Sequence, residues 1–192
     1  MKYLAKFAMA VVAMALVGGS ALAATDAETV ALFKKAGQSN KFFSNSYGYA
    51  VFPTIGKGGI GIGGAYGKGS VYQAGKYMGD VSMSQVSVGF QLGGEGFSEI
   101  IFFQDKRAYD EFTSGQFEFD ASASVTAITA NASASAGTQG ATSGAGTSKK
   151  DTQTDSAGYH KGMVIFTITK GGLMYEAVVA GQKFKYTPGG KK

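Results

Sequence analysis

The sequence predicts a mainly β (α+β) domain: an antiparallel, barrel- or sandwich-like sheet with a few short helices. Three observations carry that reading. First, long stretches alternate with a strand's period of two: Val86, Val88, Phe90 and Leu92 share one face while Gln85, Ser87, Gly89 and Gln91 share the other, the pattern of a half-buried antiparallel strand. Second, the glycine-rich run from Gly56 to Gly69 is not spaced like a linker. Gly59, Gly61, Gly63, Ala65, Gly67 and Gly69 fall on one strand face, and Ile60, Ile62 and Tyr66 fall on the other. A row of glycines costs a strand entropy, so it points to close approach by another element or a ligand. Third, helical patterns are few and short, and no strand–helix–strand alternation appears.

The elements follow in order. Lys2 and Lys6, an apolar run from Phe7 to Val17 and the small residues Ala21-Leu22-Ala23 read as a signal peptide over residues 1–23, with cleavage after Ala23. This predicts a periplasmic or exported protein whose single domain spans residues 24–192. A helix is expected from Asp26 to Ala36, capped by Thr25 or Asp26, with Glu28 in its first turn and Lys34-Lys35 in its last. Val30, Phe33 and Ala27 would form its apolar face. A helical turn is expected near Lys41-Phe42-Phe43.

Strands are then expected from Tyr47 to Phe52, ended by Pro53, from Gly59 to Tyr66, from Ser70 to Tyr72, from Asp80 to Gly93 and, more fully buried, from Phe97 to Phe103. Asp105 would cap a short helix in which Ala108 and Phe112 pair. Phe117, Phe119, Ala121, Ala123, Val125 and Ala127 alternate with polar residues and read as one further strand. Residues 131–156 hold no aromatic, Val, Ile or Leu side chain and read as a flexible low-complexity loop. Strands resume from Gly162 to Thr169, from Leu173 to Ala180 and from Lys183 to Tyr186.

Composition narrows the function. The chain has no cysteine, which excludes disulfides and thiolate metal sites. Its formal charge of +5 falls to +3 without Lys2 and Lys6. That bias suits an anionic membrane surface but does not argue for nucleic acid. His160 is the sole histidine and no G-x-S-x-G elbow exists, so no catalytic constellation is assembled and no cofactor is expected. Gly59, Gly61 and Gly64 satisfy G-x-G-x-x-G with Asp80 downstream, yet Gly67 and Gly69 cannot open the helix that a dinucleotide site requires. Glu118 and Asp120 form a carboxylate pair on what reads as a solvated strand face.

The lysines are the candidate functional groups. Lys34, Lys35 and Lys41 stand beside Phe33, Phe42 and Phe43, and Lys57 and Lys68 flank the glycine run. A short helix with apolar anchors and boundary lysines can lie at a bilayer interface and attract anionic headgroups. The alternative is a structural or interaction protein that docks an envelope partner through its glycine-rich strand.

The segment Tyr49-Ala-Val-Phe-Pro-Thr-Ile-Gly-Lys-Gly-Gly-Ile-Gly-Ile-Gly-Gly-Ala-Tyr-Gly-Lys-Gly69 resembles the signature of the SYLF domain. The order of Val86-Ser-Val-Gly-Phe-Gln-Leu-Gly-Gly94, Ile100-Ile-Phe-Phe103, Ala108-Tyr-Asp-Glu-Phe112, Gly162–Tyr175 and Gly181-Gln-Lys-Phe184 is similar as well. The resemblance implies a lipid-binding, non-catalytic domain with phospholipid or phosphoinositide ligands and, in yeast relatives, actin binding. It also implies a basic amphipathic helix near the N-terminus, for which Lys34, Lys35 and Lys41 are the nearest counterparts.

Overall fold

The computed structural model describes residues 24–60, 62–88, 95–119, 125–128, 158–170 and 181–189. The expected signal peptide, the low-complexity loop, the Leu173–Ala180 strand, Gly61 and Asp120 lie outside those residues. Eight strands form one sheet: β1 (Gly48–Ile60), β2 (Ile62–Gln73), β3 (Lys76–Val88), β4 (Glu95–Phe103), β5 (Gln116–Glu118), β6 (Val125–Ile128), β7 (Met163–Lys170) and β8 (Lys183–Pro188). Their order is β5-β8-β3-β2-β1-β4-β7-β6. Every pairing is antiparallel except that of β6 with β7. The mainly β, antiparallel expectation is met.

The sheet has to curl. Its two edges, β5 and β6, are joined by the short passage from Glu118 to Val125, which can span no more than about 25 Å. Eight flat strands would hold their edges about 34 Å apart. Curling also explains how β1, β2, β3, β4, β7 and β8 all feed one inner core, with Phe52, Ile55, Met83, Ile101, Phe103, Ile165 and Phe184 among its members. Helix α4 (Lys106–Phe112) contributes Ala108, Tyr109 and Phe112 to this core. Asp105 caps it by accepting from the Ala108 amide at 2.9 Å, as its position in the sequence predicts.

The outer face carries a second core. Helices α1 (Asp26–Lys35), α2 (Gly37–Asn40) and α3 (Phe42–Asn45) lie over Val51, Ile100, Phe102, Val164 and Phe166, residues of β1, β4 and β7. Helix α1 opens on a capping box: the Thr25 hydroxyl accepts from the Glu28 amide while the Glu28 carboxylate accepts from the Thr25 amide. Those hydrogen bonds hold the Glu28 carboxyl below its ordinary range. The buried stripe of α1 is Thr29 and Phe33, with Val30 only partly buried and Ala27 exposed, so the apolar face is narrower than the spacing suggested.

Several expected boundaries are corrected. Pro53 does not end its strand: β1 runs on to Ile60, and register shifts between Val51 and Thr54 and between Phe52 and Ile55 absorb the missing donor. The glycine run is not one strand but the tip of a hairpin, because Ile60 pairs with Ile62 and Gly59 with Gly63. The expected strand from Ser70 to Tyr72 is the continuation of β2. The alternating run from Phe117 to Ala127 divides: β5 joins one edge of the sheet and β6 the other. Gln85 is buried and Val86 is 79% exposed, so the polar side of that alternation faces the core at these positions.

Candidate lipid-facing surface

The glycine row faces inward. At Gly67 a Cβ would lie 2.6 Å from Ile55 Cγ1, and at Gly69 it would collide with the Val51 carbonyl oxygen and the Phe52 ring. Glycine at these two positions lets β2 pass close beneath the Ile55 and Phe52 side chains. This is the close approach by another element that the sequence implied, and the approaching element is the neighbouring strand. Gly63 is buried on the same side as Ala65, and Gly64, on the other face, has the Gln85 carbonyl oxygen 3.3 Å from where its Cβ would stand. Gly59 is known here by its pairing alone. Gly64 sits within β2 rather than at a helix start, which removes the dinucleotide reading.

The lysines separate into one group on the helices, Lys68 on the same face, and one outlier. Lys34, Lys35 and Lys41 are exposed on the helices of the outer face. The Lys34 Nζ lies 5.3 Å from the Phe43 ring centroid and the Lys41 Nζ 5.0 Å from that of Phe42, so both ammonium groups rest on aromatic faces. Lys68 is exposed on the outer face of β2. Lys57 is the outlier: it pairs with Ala65, whereas Lys68 pairs with Thr54. Cross-strand partners share a face and successive residues alternate. The two lysines flanking the glycine run therefore project from opposite sides of the hairpin.

The aromatic partners need a correction. Phe33 is 0% and Phe42 4% exposed, so neither side chain projects outward from the protein. Phe33 occupies the sheet-facing stripe of α1, and Phe42 packs on Phe102, Tyr159 and Phe166 at ring separations of 5.3–5.6 Å. Phe43 is half-buried and makes an edge contact with Phe102 at 4.8 Å. The Phe43 and Phe42 rings seat Lys34 and Lys41. The large apolar residue that this helix exposes is Leu32, 44% exposed and one turn before Lys35, which the focus on aromatic anchors overlooked. The N-terminal end of α1 is fastened to the sheet by the Tyr72 hydroxyl, which donates to Asp26 at 2.9 Å. Burial, then that hydrogen bond, push the Tyr72 phenol up to about 12.

Two groups that chemistry could use are accounted for structurally. His160 lies in the turn that opens β7, exchanging backbone hydrogen bonds with Met163. Glu118 is exposed and forms an ion pair with Lys183 at 3.6 Å. No group of three His, Cys, Asp or Glu side chains able to hold a metal occurs among the described residues. No helix of the described residues is long and apolar enough to cross a membrane.

Inside the curl lies a polar group that sequence reading passed over. Glu99 on β4 is fully buried, pairs in register with Phe52 and Thr167, and accepts from Gln182 Nε2 at 3.1 Å. Glu99 Oε1, Gln182 Oε1 and Thr167 Oγ1 have no hydrogen-bond partner among the described residues. Burial, only partly opposed by the Gln182 hydrogen bond, pushes the Glu99 carboxyl up to about 7. A lone glutamate in the apolar run from Phe97 to Phe103 was the available signal.

A protein-family model, Ysc84, described as Las17-binding protein actin regulator, matches residues 84–185, just over half of the chain. The match begins beyond the glycine run and covers the end of β3 through the first half of β8. No curated protein matches the chain.

Proposed function

Since the chain belongs to the Ysc84 family of SYLF domains, we propose that it is a non-catalytic binding domain that attaches to anionic phospholipid, at the periplasmic face of a bacterial envelope membrane. The family is one of binding domains. The observation that carries the lipid reading is the group of exposed lysines on the outer helices: Lys34, Lys35 and Lys41 form no ion pair with a described carboxylate, and Leu32, one helical turn before Lys35, is exposed as well. An ammonium group near an anionic bilayer is worth about 1 kcal/mol, so three acting together support reversible, peripheral attachment. The rings of Phe42 and Phe43 hold two of those groups in place and limit the entropy lost on contact. The exported location rests on the basic and apolar residues ahead of Ala24. The alternative, a protein partner docked on the glycine row, draws no support from Gly67 and Gly69, whose faces are filled by Ile55 and Phe52.

The test is sedimentation of the chain from Ala24 onward, which contains every described element, with phosphatidylglycerol or phosphatidylcholine vesicles across a salt series. Binding to the anionic vesicles alone, weakened steeply by salt, is expected. Replacing Lys34 and Lys35 by Gln should reduce it more than replacing Lys191 and Lys192. Equal binding to neutral vesicles, or none to either, would overturn the reading.

A further inference from the structure

The outer face of the sheet continues past the helices onto β2, β3, β8 and β5, and there its chemistry changes. Cross-strand pairing sets Lys68 opposite Ser82, Ser82 opposite Lys185, and Lys185 opposite Gln116. The neighbouring row sets Tyr66 opposite Ser84, Ser84 opposite Lys183, and Lys183 opposite Glu118. Directly paired residues project from one face. Lys68 is thereby brought beside Lys183 and Lys185, more than a hundred positions away in the sequence, over two serines.

We infer that this face holds a phosphate-ester site, in which the Lys68 and Lys185 ammonium groups close on an anion from either side of the Ser82 hydroxyl. The inference rests on the anionic-lipid reading for its biological ligand, the headgroup phosphate, but not for its geometry. Strands stand about 4.8 Å apart, so the Cα atoms of Lys68 and Lys185 are about 10 Å apart, a span that two lysine stems can close. The small side chains of Ser82 and Ser84 line one side of an open groove of about 450 Å³ over β3, β8 and β5, with Lys183, Lys185, Gln116 and Glu118 also lining it; Lys68, opposite Ser82 on β2, stands just beyond its serine side. Lysine serves as a point charge for phosphate, and serine adds a hydroxyl donor.

The charges nearby favour an anion. Lys68 and Lys185 are exposed and form no ion pair with a described carboxylate. Lys183 is engaged with Glu118 at 3.6 Å, but both side chains are more than half exposed, and such a pair is weak enough to exchange for a ligand. The other carboxylate of this face, Asp80, lies in the next row opposite Ser70 and Thr187 and accepts from the Tyr77 hydroxyl at 2.6 Å. Three cations thus stand against two anions, both already occupied.

The experiment is an amide-resolved titration of the chain from Ala24 onward with glycerol 3-phosphate, run beside phosphatidylglycerol vesicle sedimentation, for the wild type, K68Q/K185Q and K34Q/K35Q. All four lysines are exposed, so each variant should retain the wild-type circular dichroism. Glycerol 3-phosphate should shift the Ser82, Ser84 and Lys185 amides in the wild type and in K34Q/K35Q but not in K68Q/K185Q. Vesicle affinity should fall about tenfold or more in K68Q/K185Q. Shifts at Ser82 together with vesicle binding that is absent, or indifferent to K68Q/K185Q, would keep the site and assign it to a soluble phosphate ester. No shift at Ser82 overturns the site; if the wild type still binds phosphatidylglycerol vesicles, the membrane reading stands without it.

Discussion

The outer face of this sheet has two halves that share one backbone geometry and differ in what they present. Over β1, β4 and β7 the outward residues are Val51, Ile100, Phe102, Val164 and Phe166, and three short helices cover them. Over β2, β3 and β8 the outward residues are Lys68, Ser82, Ser84, Lys183 and Lys185, and a groove remains open. The helices cover the half that is continuously apolar; on the open half Tyr66 and Val86 stand exposed among polar residues. Burying the aromatic half releases water from a large apolar area, whereas covering the lysine half would strip solvent from three ammonium groups for little return. Where α1 to α3 settle is thus decided by the strands beneath them.

The largest effect should come from breaking the covered half. Phe42→Ala removes a ring that packs against Phe102, Tyr159 and Phe166 and should cost about 3–5 kcal/mol, read by denaturant unfolding. It should also free Lys41 from its aromatic seat. An unfolding midpoint close to wild type would mean that the helices contribute little to stability.

Next is the inner face on which both halves depend. The Glu99 carboxyl is raised from 4.5 to about 7 in the folded protein, so between those values the native state holds a proton that the unfolded state releases. Stability therefore falls as pH rises through that window and levels off above it. Glu99→Gln removes the titration, and its amide can donate to the oxygens of Gln182 and Thr167 that have no partner among the described residues. The variant should gain about 3 kcal/mol over wild type at pH 8, with a flatter stability profile from pH 5 to 8. An unchanged slope would show that Glu99 does not set it.

Gly69→Ala places a methyl group against the Val51 carbonyl oxygen and the Phe52 ring, and should cost about 1–3 kcal/mol by forcing β1 and β2 apart. If it proves neutral, the inward glycine row is not a packing device at that position. The smallest effect on stability belongs to the open half: K68Q/K185Q should move unfolding by less than about 0.5 kcal/mol. A larger loss would mean that those lysines support the fold.

What could be read from the sequence follows the range of the forces involved. The cap of α1 at Thr25, the cap of α4 at Asp105 and the buried run of β4 depend on neighbours within a few residues, and each was legible. The reversal between Ile60 and Ile62 was not, because a glycine-rich stretch satisfies a strand and a turn equally well. Pro53 misled because the register shift that accommodates it is a property of the paired strands. The alternation from Phe117 to Ala127 gave the right period but could not show that its two ends join opposite edges. For the candidate surface, Lys34 and Lys35 were legible from their place at a helix end. Lys183 and Lys185 were not, since nothing local says that β8 will pair with β3.

That last pairing has a consequence for how the protein comes into being. Tyr186 pairs with Val81 and Lys185 with Ser82, so β3 waits for the final described strand before its outer edge is closed. Contacts of such long sequence separation form late, after the local β1–β2–β3 meander has had time to assemble. A chain emerging residue by residue carries an unpaired β3 edge until β8 arrives, and such an edge invites pairing with another chain. Completion of the sheet and completion of the Lys68–Ser82–Lys185 row are the same event, so a chain cut short before Lys183 is left both sticky and unable to assemble that row.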